Sequence, residues 1–247
     1  MSRVSRPAAG GRPEHALVAS PGRDIAVTAV VVALTAAVFA AVADQGTLAH
    51  IQRLDDTWLR LMISSRSAPV TAIAMFLNVL GLVYVTLPVR IALAGFLALR
   101  RRWWHLAAFV AAVATSEILI GTLKGVYDRA RPPGSLVATS GASFPSGHSV
   151  AASVTVVAAV IALVPAGRQR AAWGAAAVAF SIVMAQSRAY LGAHWLSDAV
   201  AGVLLGTSCA LLAALAVGLL QRRWVRRRPA GPGREPAPDM TMPADQR

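Results

Sequence analysis

Three short stretches of the sequence concentrate cationic, imidazole and hydroxyl side chains that suit phosphate chemistry. They lie at residues 124–132, 145–149 and 187–198. Lys124, Arg131 and Arg188 supply three cations, and few carboxylates lie near them in the sequence. A charge beside hydrocarbon needs a partner, and the planar fork of arginine matches phosphate oxygens. These stretches therefore predict a site for a phosphate group.

Two residues of the middle stretch suit the same ligand. Ser146 and Gly147 come directly before an apolar run that is long enough to form a helix. The first turn of a helix has free backbone N–H groups and binds anions, and glycine lets the backbone approach closely. We therefore expect Ser146 and Gly147 to contact the phosphate.

The histidines add the groups that a transfer reaction needs. His194 and Asp198 are spaced i, i+4, so on a helix they share a face. A carboxylate beside an imidazole fixes its tautomer and leaves the other ring nitrogen free as a nucleophile. His148 is then available as a general acid for the leaving oxygen. Together with the cations, these are the parts of a metal-independent phosphoryl transfer, although the residues alone do not decide which histidine attacks.

Each of these features taken alone also has a structural explanation. Arginines near a membrane surface often only anchor a helix, and a Pro-Ser-Gly run usually marks a turn. A single histidine is more often structural than catalytic. Finding all of these features together, in this order and beside apolar runs, favours a functional site.

The elements that must position these residues are apolar. Hydrophobic residues make up 56% of the 247-residue chain and charged residues 14%, which argues against an ordinary soluble enzyme and against disorder. A single cysteine excludes a disulfide framework. Six apolar runs approach or exceed the roughly 20 residues that cross a bilayer, which predicts an all-α, six-transmembrane-helix bundle. These runs are residues 25–43, 68–99, 105–123, 150–164, 171–190 and 196–220. The second run contains Gly81 and Pro88 and is either one kinked helix or a broken span.

The arginines predict how this bundle is oriented. They cluster at residues 3–23, 100–102, 168–170 and 222–228, four regions that fall on one side of a six-span bundle. That side is expected to be cytoplasmic, so the net charge of +13 reports topology rather than nucleic-acid binding. All three polar stretches then fall at the outer, extracytoplasmic edge. The first run has too long an apolar core for a cleaved signal peptide and is expected to remain as an anchor.

The predicted organisation is a basic cytoplasmic tail (1–24), a membrane domain (25–221) and a basic, Pro-rich tail expected to be disordered (222–247). Residues 49–65 predict an amphipathic helix, either at the outer membrane surface or packed as a loop helix. Arg90 and Glu117 are expected to pair between antiparallel neighbours, with a role in a substrate path or proton relay as the alternative. Asp128 and Arg129 either tune substrate choice or pair with each other.

The three stretches resemble the type 2 phosphatidic acid phosphatase (PAP2) family. Its motifs read K-x6-R-P, P-S-G-H and S-R-x5-H-x3-D, and the chain matches each of them. The resemblance covers roughly residues 50–220 and implies that His194 attacks phosphorus to form a phosphohistidine, Asp198 orients it and His148 protonates the leaving group. It also implies a set of phosphate-binding residues and no metal or cofactor. That set is Lys124, Arg131, Ser146, Gly147 and Arg188.

The expected activity is hydrolysis of a membrane lipid phosphate or diphosphate at the outer face of the cytoplasmic membrane, with the bilayer as partner and no nucleic acid. Undecaprenyl diphosphate is the leading substrate, and phosphatidic acid or phosphatidylglycerol phosphate is the second. A phosphotransferase that uses the same site, and a silent scaffold or transporter, are the alternatives from other classes. The presence of every motif position argues against a silent protein.

Overall fold

The computed structural model of the protein describes residues 16–227. The described chain is built from helices, which confirms the all-α prediction, and its eight helices follow one another as α1 to α8. Their bounds are α1 Pro21–Ala43, α2 Gln45–Ser64, α3 Ala68–Leu80, α4 Val83–Leu99, α5 Trp103–Tyr127, α6 Gly147–Leu163, α7 Arg168–Tyr190 and α8 Leu196–Arg227.

Each predicted apolar run forms a helix, and the second run is broken. α3 and α4 meet at an angle of 54° across Gly81 and Leu82. Pro88, the other candidate for the break, lies inside α4. The chain therefore breaks at Gly81, which carries no side chain. This position of the break leaves room for His148.

Three of the described helices, α1, α5 and α8, are long and apolar enough to cross a membrane, and the bent pair α3–α4 passes the same test when its two helices are counted as one span. α6 is equally apolar but has 17 residues. α7 has 23 residues but starts in a polar segment. The protein is thus a membrane protein with several apolar helices, and the count of six spans stays a prediction.

The centre of the bundle is the contact between α6 and α8, which two glycines of α8 bring close together. A Cβ atom at Gly202 would lie 2.7 Å from the carbonyl oxygen of Ser146, and one at Gly206 would lie 2.1 Å from Ser153 Oγ. At the top of this contact the Ser146 N–H donates to the Asp198 carbonyl over 3.0 Å. The first turns of α6 and α8, which carry two of the three motifs, therefore pack directly against each other.

The two ends of the bundle differ in chemistry. The end of α5, the start of α6, the end of α7 and the start of α8 come together and carry the motifs, whereas the arginine clusters lie at the opposite helix ends. Residues just before α1 also pack at that arginine-rich end, where the Arg170 guanidinium donates to the Ala16 carbonyl over 2.8 Å and Val18 contacts Gly218. The described helices begin at Pro21 and reach Arg227, so α1 starts within the predicted tail 1–24 and α8 ends within the predicted tail 222–247. Residues 1–15 and 228–247 of these tails lie outside the described residues.

The predicted pair of charges inside the spans is confirmed. Arg90 Nη1 lies 2.7 Å from Glu117 Oε1, between the neighbouring helices α4 and α5. Arg90 also donates to Thr155 Oγ1 over 2.9 Å, and its side chain is 10% exposed. An intramembrane arginine is costly without such partners. The pair therefore ties α4 to α5 and α6 below the active site.

Candidate active site

His194 lies in the short connection between α7 and α8, and it is 4% exposed. Its Nδ1 atom is 2.8 Å from the main-chain carbonyl oxygen of Ser143. Because a carbonyl only accepts hydrogen bonds, Nδ1 carries the proton in the neutral ring and Nε2 has a free lone pair. Arg131 Nη1 lies 3.3 Å from this Nε2. The free nitrogen thus lies beside a cation that can hold the anionic phosphate to be attacked.

Asp198 stands beside His194 but is not its direct hydrogen-bond acceptor. The distance from His194 Nδ1 to Asp198 Oδ2 is 3.7 Å, beyond hydrogen-bond range. The same carboxylate oxygen accepts from the Ser143 hydroxyl and, over 2.9 Å, from the Trp195 N–H. The expected shared helix face is wrong, because His194 precedes α8, which begins at Leu196, while Asp198 lies in its first turn. The two side chains are still neighbours, and the Ser143 carbonyl fixes the tautomer. Asp198 acts on the imidazole through its charge and through Ser143.

Burial and nearby charges determine the protonation of His194. Burial lowers the pKa of His194 to about 4, although Asp198 opposes this shift, while the cationic Arg131 and Arg188 add to it. The ring is therefore neutral at pH 7. A neutral imidazole has the lone pair that nucleophilic attack requires.

The three predicted cations are held around this ring by main-chain and side-chain oxygens. Lys124 Nζ donates to the Ala142 carbonyl over 2.5 Å, and Arg131 donates to the carbonyls of Ser140, Gly141 and Ala193. Arg188, 2% exposed near the end of α7, donates to Asn78 Oδ1 of α3. None of these bonds is to a carboxylate. In the part of the chain that the structure describes, no direct ion pair therefore occupies these three cations, and they remain available to an anionic ligand.

His148 stands in the first turn of α6 and completes the set. Its Nε2 and the Nε of Arg188 are buried atoms for which the described residues provide no hydrogen-bond partner. Buried polar atoms are normally paired, so two such donors or acceptors at one place indicate a polar ligand. His148 also interacts electrostatically with Arg188, His194 and Arg131, which shows that all four face one site.

The helix break found in the fold makes room for His148. A Cβ atom at Gly81 would lie 2.2 Å from His148 Cδ2, closer than any real contact of this kind. The imidazole therefore packs onto the backbone at the α3–α4 break. Gly147 begins α6 and Ser146 is its N-cap residue, with a side chain that makes no capping bond. Gly147 thus lies in the first turn, where free N–H groups can meet an anion, whereas Ser146 is fully buried and its own N–H is bonded to the Asp198 carbonyl.

An apolar groove leads away from His148 between the bent pair α3–α4 and the helices α5 and α6. Its volume is about 600 Å³. The walls are mainly aliphatic, and the Arg90–Glu117 pair lies along them. Gly147 and His148 line the same groove. The site thus connects a cationic pocket with a hydrophobic channel.

The sequence patterns do not assign a role in the site to four residues that shape it. They are Gly81, Asn78, Ser143 and Asp55. Ser143 acts partly through a backbone carbonyl, which leaves no pattern in a sequence. Arg129 lies inside the first motif, but it pairs with Asp198 and Asp55 rather than with Asp128. The only sign of this in the sequence is that Arg129 is a charged residue between two fixed positions of the first motif.

Both the sequence and the fold resemble those of known proteins. Residues 105–222 match the PAP2 superfamily. The crystal structure of the first transmembrane PAP2-type phosphatidylglycerolphosphate phosphatase, from Bacillus subtilis, resembles the chain with a TM-score of 0.66 at 23% identity, over 81% of this chain and 98% of that one. LpxE from Aquifex aeolicus resembles it with a TM-score of 0.53 at 22% identity, over 63% of this chain and 91% of that one. No curated protein matches the sequence significantly.

The comparisons confirm the resemblance inferred from the motifs. The matched segment begins at His105 in α5 and ends at Arg222 in α8, so it contains all three motifs and the helices that bring them together. The solved structures extend the likeness in fold to the N-terminal helices. Residues 105–222, which carry all three motifs, belong to the PAP2 superfamily.

Proposed function

We propose that the protein removes phosphate from a membrane lipid phosphate or diphosphate without a metal ion, through a phosphohistidine at His194. The observation that carries this proposal is the orientation of that histidine. Its Nδ1 is held by the Ser143 carbonyl and its Nε2 faces Arg131. Within residues 16–227 no three His, Cys, Asp or Glu side chains are close enough to share a metal ion. The cations are the available means of balancing phosphate charge.

The reaction follows from these positions. Lys124, Arg131 and Arg188 hold the phosphate, with the α6 N-terminus at Ser146 and Gly147. His194 Nε2 forms a bond to phosphorus while the bond to the lipid oxygen breaks, and His148 donates its proton to that oxygen. Water then attacks the phosphohistidine, and deprotonated His148 accepts the water proton. His194 leaves as the neutral ring and inorganic phosphate is released.

The groove supports a lipid substrate. A hydrocarbon chain in the 600 Å³ groove would place its phosphate next to His148. The arginine clusters lie at the opposite end of the bundle, which supports an extracytoplasmic site in the cytoplasmic membrane. Undecaprenyl diphosphate remains the first candidate, because a carrier lipid presents its phosphates at that face. Phosphatidylglycerol phosphate is the second, supported by the similar Bacillus subtilis protein, a phosphatidylglycerolphosphate phosphatase, and phosphatidic acid is the third.

The substrate class is tested by phosphate release from the full chain, purified in detergent with EDTA. The panel holds undecaprenyl diphosphate, phosphatidylglycerol phosphate, phosphatidic acid and a soluble phosphomonoester. We expect release from at least one lipid in EDTA and much slower release from the soluble ester. Activity that EDTA abolishes and a divalent cation restores would contradict the metal-independent mechanism, and equal turnover of the soluble ester would contradict the role of the groove.

The pH dependence tests the state of the two histidines. Because the pKa of His194 is lowered to about 4, its ring stays neutral and nucleophilic down to that pH, and kcat/KM should fall only below about pH 5. Burial, Arg188 and His194 lower the pKa of His148 to about 3, so its proton must be held by the bound phosphate. The alkaline fall should therefore appear in kcat, which reports the substrate complex. The measurements are kcat and kcat/KM between pH 4 and 9, corrected for the titration of the substrate phosphate followed by phosphorus NMR.

Two outcomes would contradict this assignment. An acid limb centred near pH 6.5, the ordinary value for histidine, would mean that His194 is not the buried neutral nucleophile. A rate that stays constant up to about pH 9 would mean that no group acts as the general acid in the way proposed for His148.

A further inference from the structure

A buried carboxylate on α2 reaches the active site although it belongs to none of the motifs. α2 is largely exposed, and among its side chains Asp55 is the buried one, at 2% exposure. A buried charge is costly unless it is paired and fully hydrogen-bonded. The contacts of Asp55 therefore indicate the role of this part of α2.

Asp55 is fully bonded to residues that surround the catalytic carboxylate. Its Oδ1 accepts from the Ser197 N–H over 2.9 Å, and its Oδ2 accepts from the Ser197 hydroxyl over 2.6 Å. Oδ2 also accepts from Arg129 Nη2 over 2.7 Å. Ser197 directly precedes Asp198 in the first turn of α8. Asp55 thus holds the turn that carries Asp198.

Arg129 completes the connection. Its Nη1 donates to Asp198 Oδ1 over 2.7 Å, and its guanidinium lies over the ring of Trp195, 5.6 Å from the centroid. The side chain is 8% exposed, so solvent screens these charges little. One guanidinium therefore bridges two buried carboxylates. With Oδ1 held by Arg129 and Oδ2 held by Ser143 and Trp195, Asp198 has one fixed orientation.

The charges of the bridge also matter for the reaction. Attack on phosphorus puts positive charge on the ring of His194, which already faces the cations Arg131 and Arg188. Asp198 paired with Arg129 alone would be electrically neutral. With Asp55 added, the buried cluster keeps a net negative charge beside the ring, which stabilises the imidazolium-like state.

We propose that Asp55 and Arg129 are positioning residues for the proposed phosphatase reaction, which fix Asp198 and keep the cluster beside His194 negative. This inference rests on the proposed function. It gives α2 a role beyond lying at the membrane surface, since the helix supplies a group on which the geometry of the nucleophile depends.

The test compares Asp55→Asn with Asp56→Asn. Asp56 is the next residue of α2 and makes no direct bond to Arg129 or Ser197. It bonds the amide nitrogen of Gln52, whose oxygen accepts from Arg129, so Asp56→Asn is the control for losing a neighbouring carboxylate without losing the direct contacts of Asp55. We expect Asp55→Asn to lower kcat by about ten- to a hundredfold, with KM changed less than about threefold, as for a small misplacement of the reacting groups. Asp56→Asn should keep both values. Arg129→Lys, which keeps the charge but cannot bridge two carboxylates in the same way, should also lower kcat.

A second readout does not depend on the lipid. Orthovanadate, an oxyanion that forms a five-coordinate adduct with nucleophiles, is titrated into the same proteins by calorimetry. We expect about tenfold weaker binding to Asp55→Asn and Arg129→Lys than to the unmodified chain and Asp56→Asn. Unchanged kcat and unchanged vanadate binding in folded Asp55→Asn, or loss of melting temperature without either effect, would overturn the inference. A chain that binds vanadate in this pattern but hydrolyses no lipid would instead contradict the proposed function alone.

Discussion

Replacing His194 by alanine should lower phosphate release by about 10⁴-fold or more, because the reaction then lacks its nucleophile. His194 is the group whose Nε2 lies beside Arg131, at the place where the phosphate is expected to bind. The measurement is single-turnover phosphate release from the preferred lipid in detergent with EDTA. His194 is 4% exposed, so the melting temperature of the variant is recorded as well.

The matched control for this variant is His50→Ala. His50 is exposed on α2 and its ring contacts only the Gly46 carbonyl of the preceding turn, so its loss should leave the rate within about twofold. A folded His194→Ala protein that keeps a hundredth or more of the activity would contradict the covalent mechanism. Equal losses in both variants would point to general destabilisation instead.

Replacing Gly81 by alanine should lower kcat by about a hundredfold, although Gly81 contributes no functional group. The new Cβ would lie 2.2 Å from His148 Cδ2, so either the imidazole or the α3–α4 break must move. A displacement of about 1 Å at a reacting group can cost that much in rate. Because His148 protonates the leaving oxygen, the loss should be smaller for a nitrophenyl phosphate, whose leaving group needs no proton.

Gly95→Ala provides the control for the same substitution in the same bent pair. Gly95 lies in α4, and a Cβ atom added there would meet no other atom within 4 Å. Alanine at this position should therefore leave the rate unchanged and improve helix propensity. A folded Gly81→Ala protein with wild-type kcat, or an equal loss for both leaving groups, would contradict the packing of His148 on the break.

Much of the site was predictable because each motif lies where an apolar run meets a polar loop. Lys124, His148, Arg188 and His194 could be placed at helix ends from that boundary alone. The helical rise also put Arg90 and Glu117 at the same depth, and their ion pair is confirmed. Patterns of this kind are local or follow from the regular geometry of helices.

The remaining features depend on tertiary contacts that no spacing encodes. Asp55 and Arg129 are 74 residues apart and meet only because α2 folds back over the first turn of α8. The acceptor of the His194 proton is a backbone carbonyl, which every residue possesses, so the sequence favoured Asp198 instead. The position of the helix break was ambiguous between Gly81 and Pro88, and close packing against His148 requires the glycine.

The most direct test of the central claim is rapid quenching of the enzyme with a lipid labelled in its terminal phosphate, in the presence of EDTA. We expect protein-bound label that forms before phosphate is released, is lost in acid and survives alkali, as a phosphohistidine does, and that maps to His194 and is missing in His194→Ala. Turnover of the lipid without protein-bound label, or label on another residue that persists in His194→Ala, would contradict nucleophilic attack by His194.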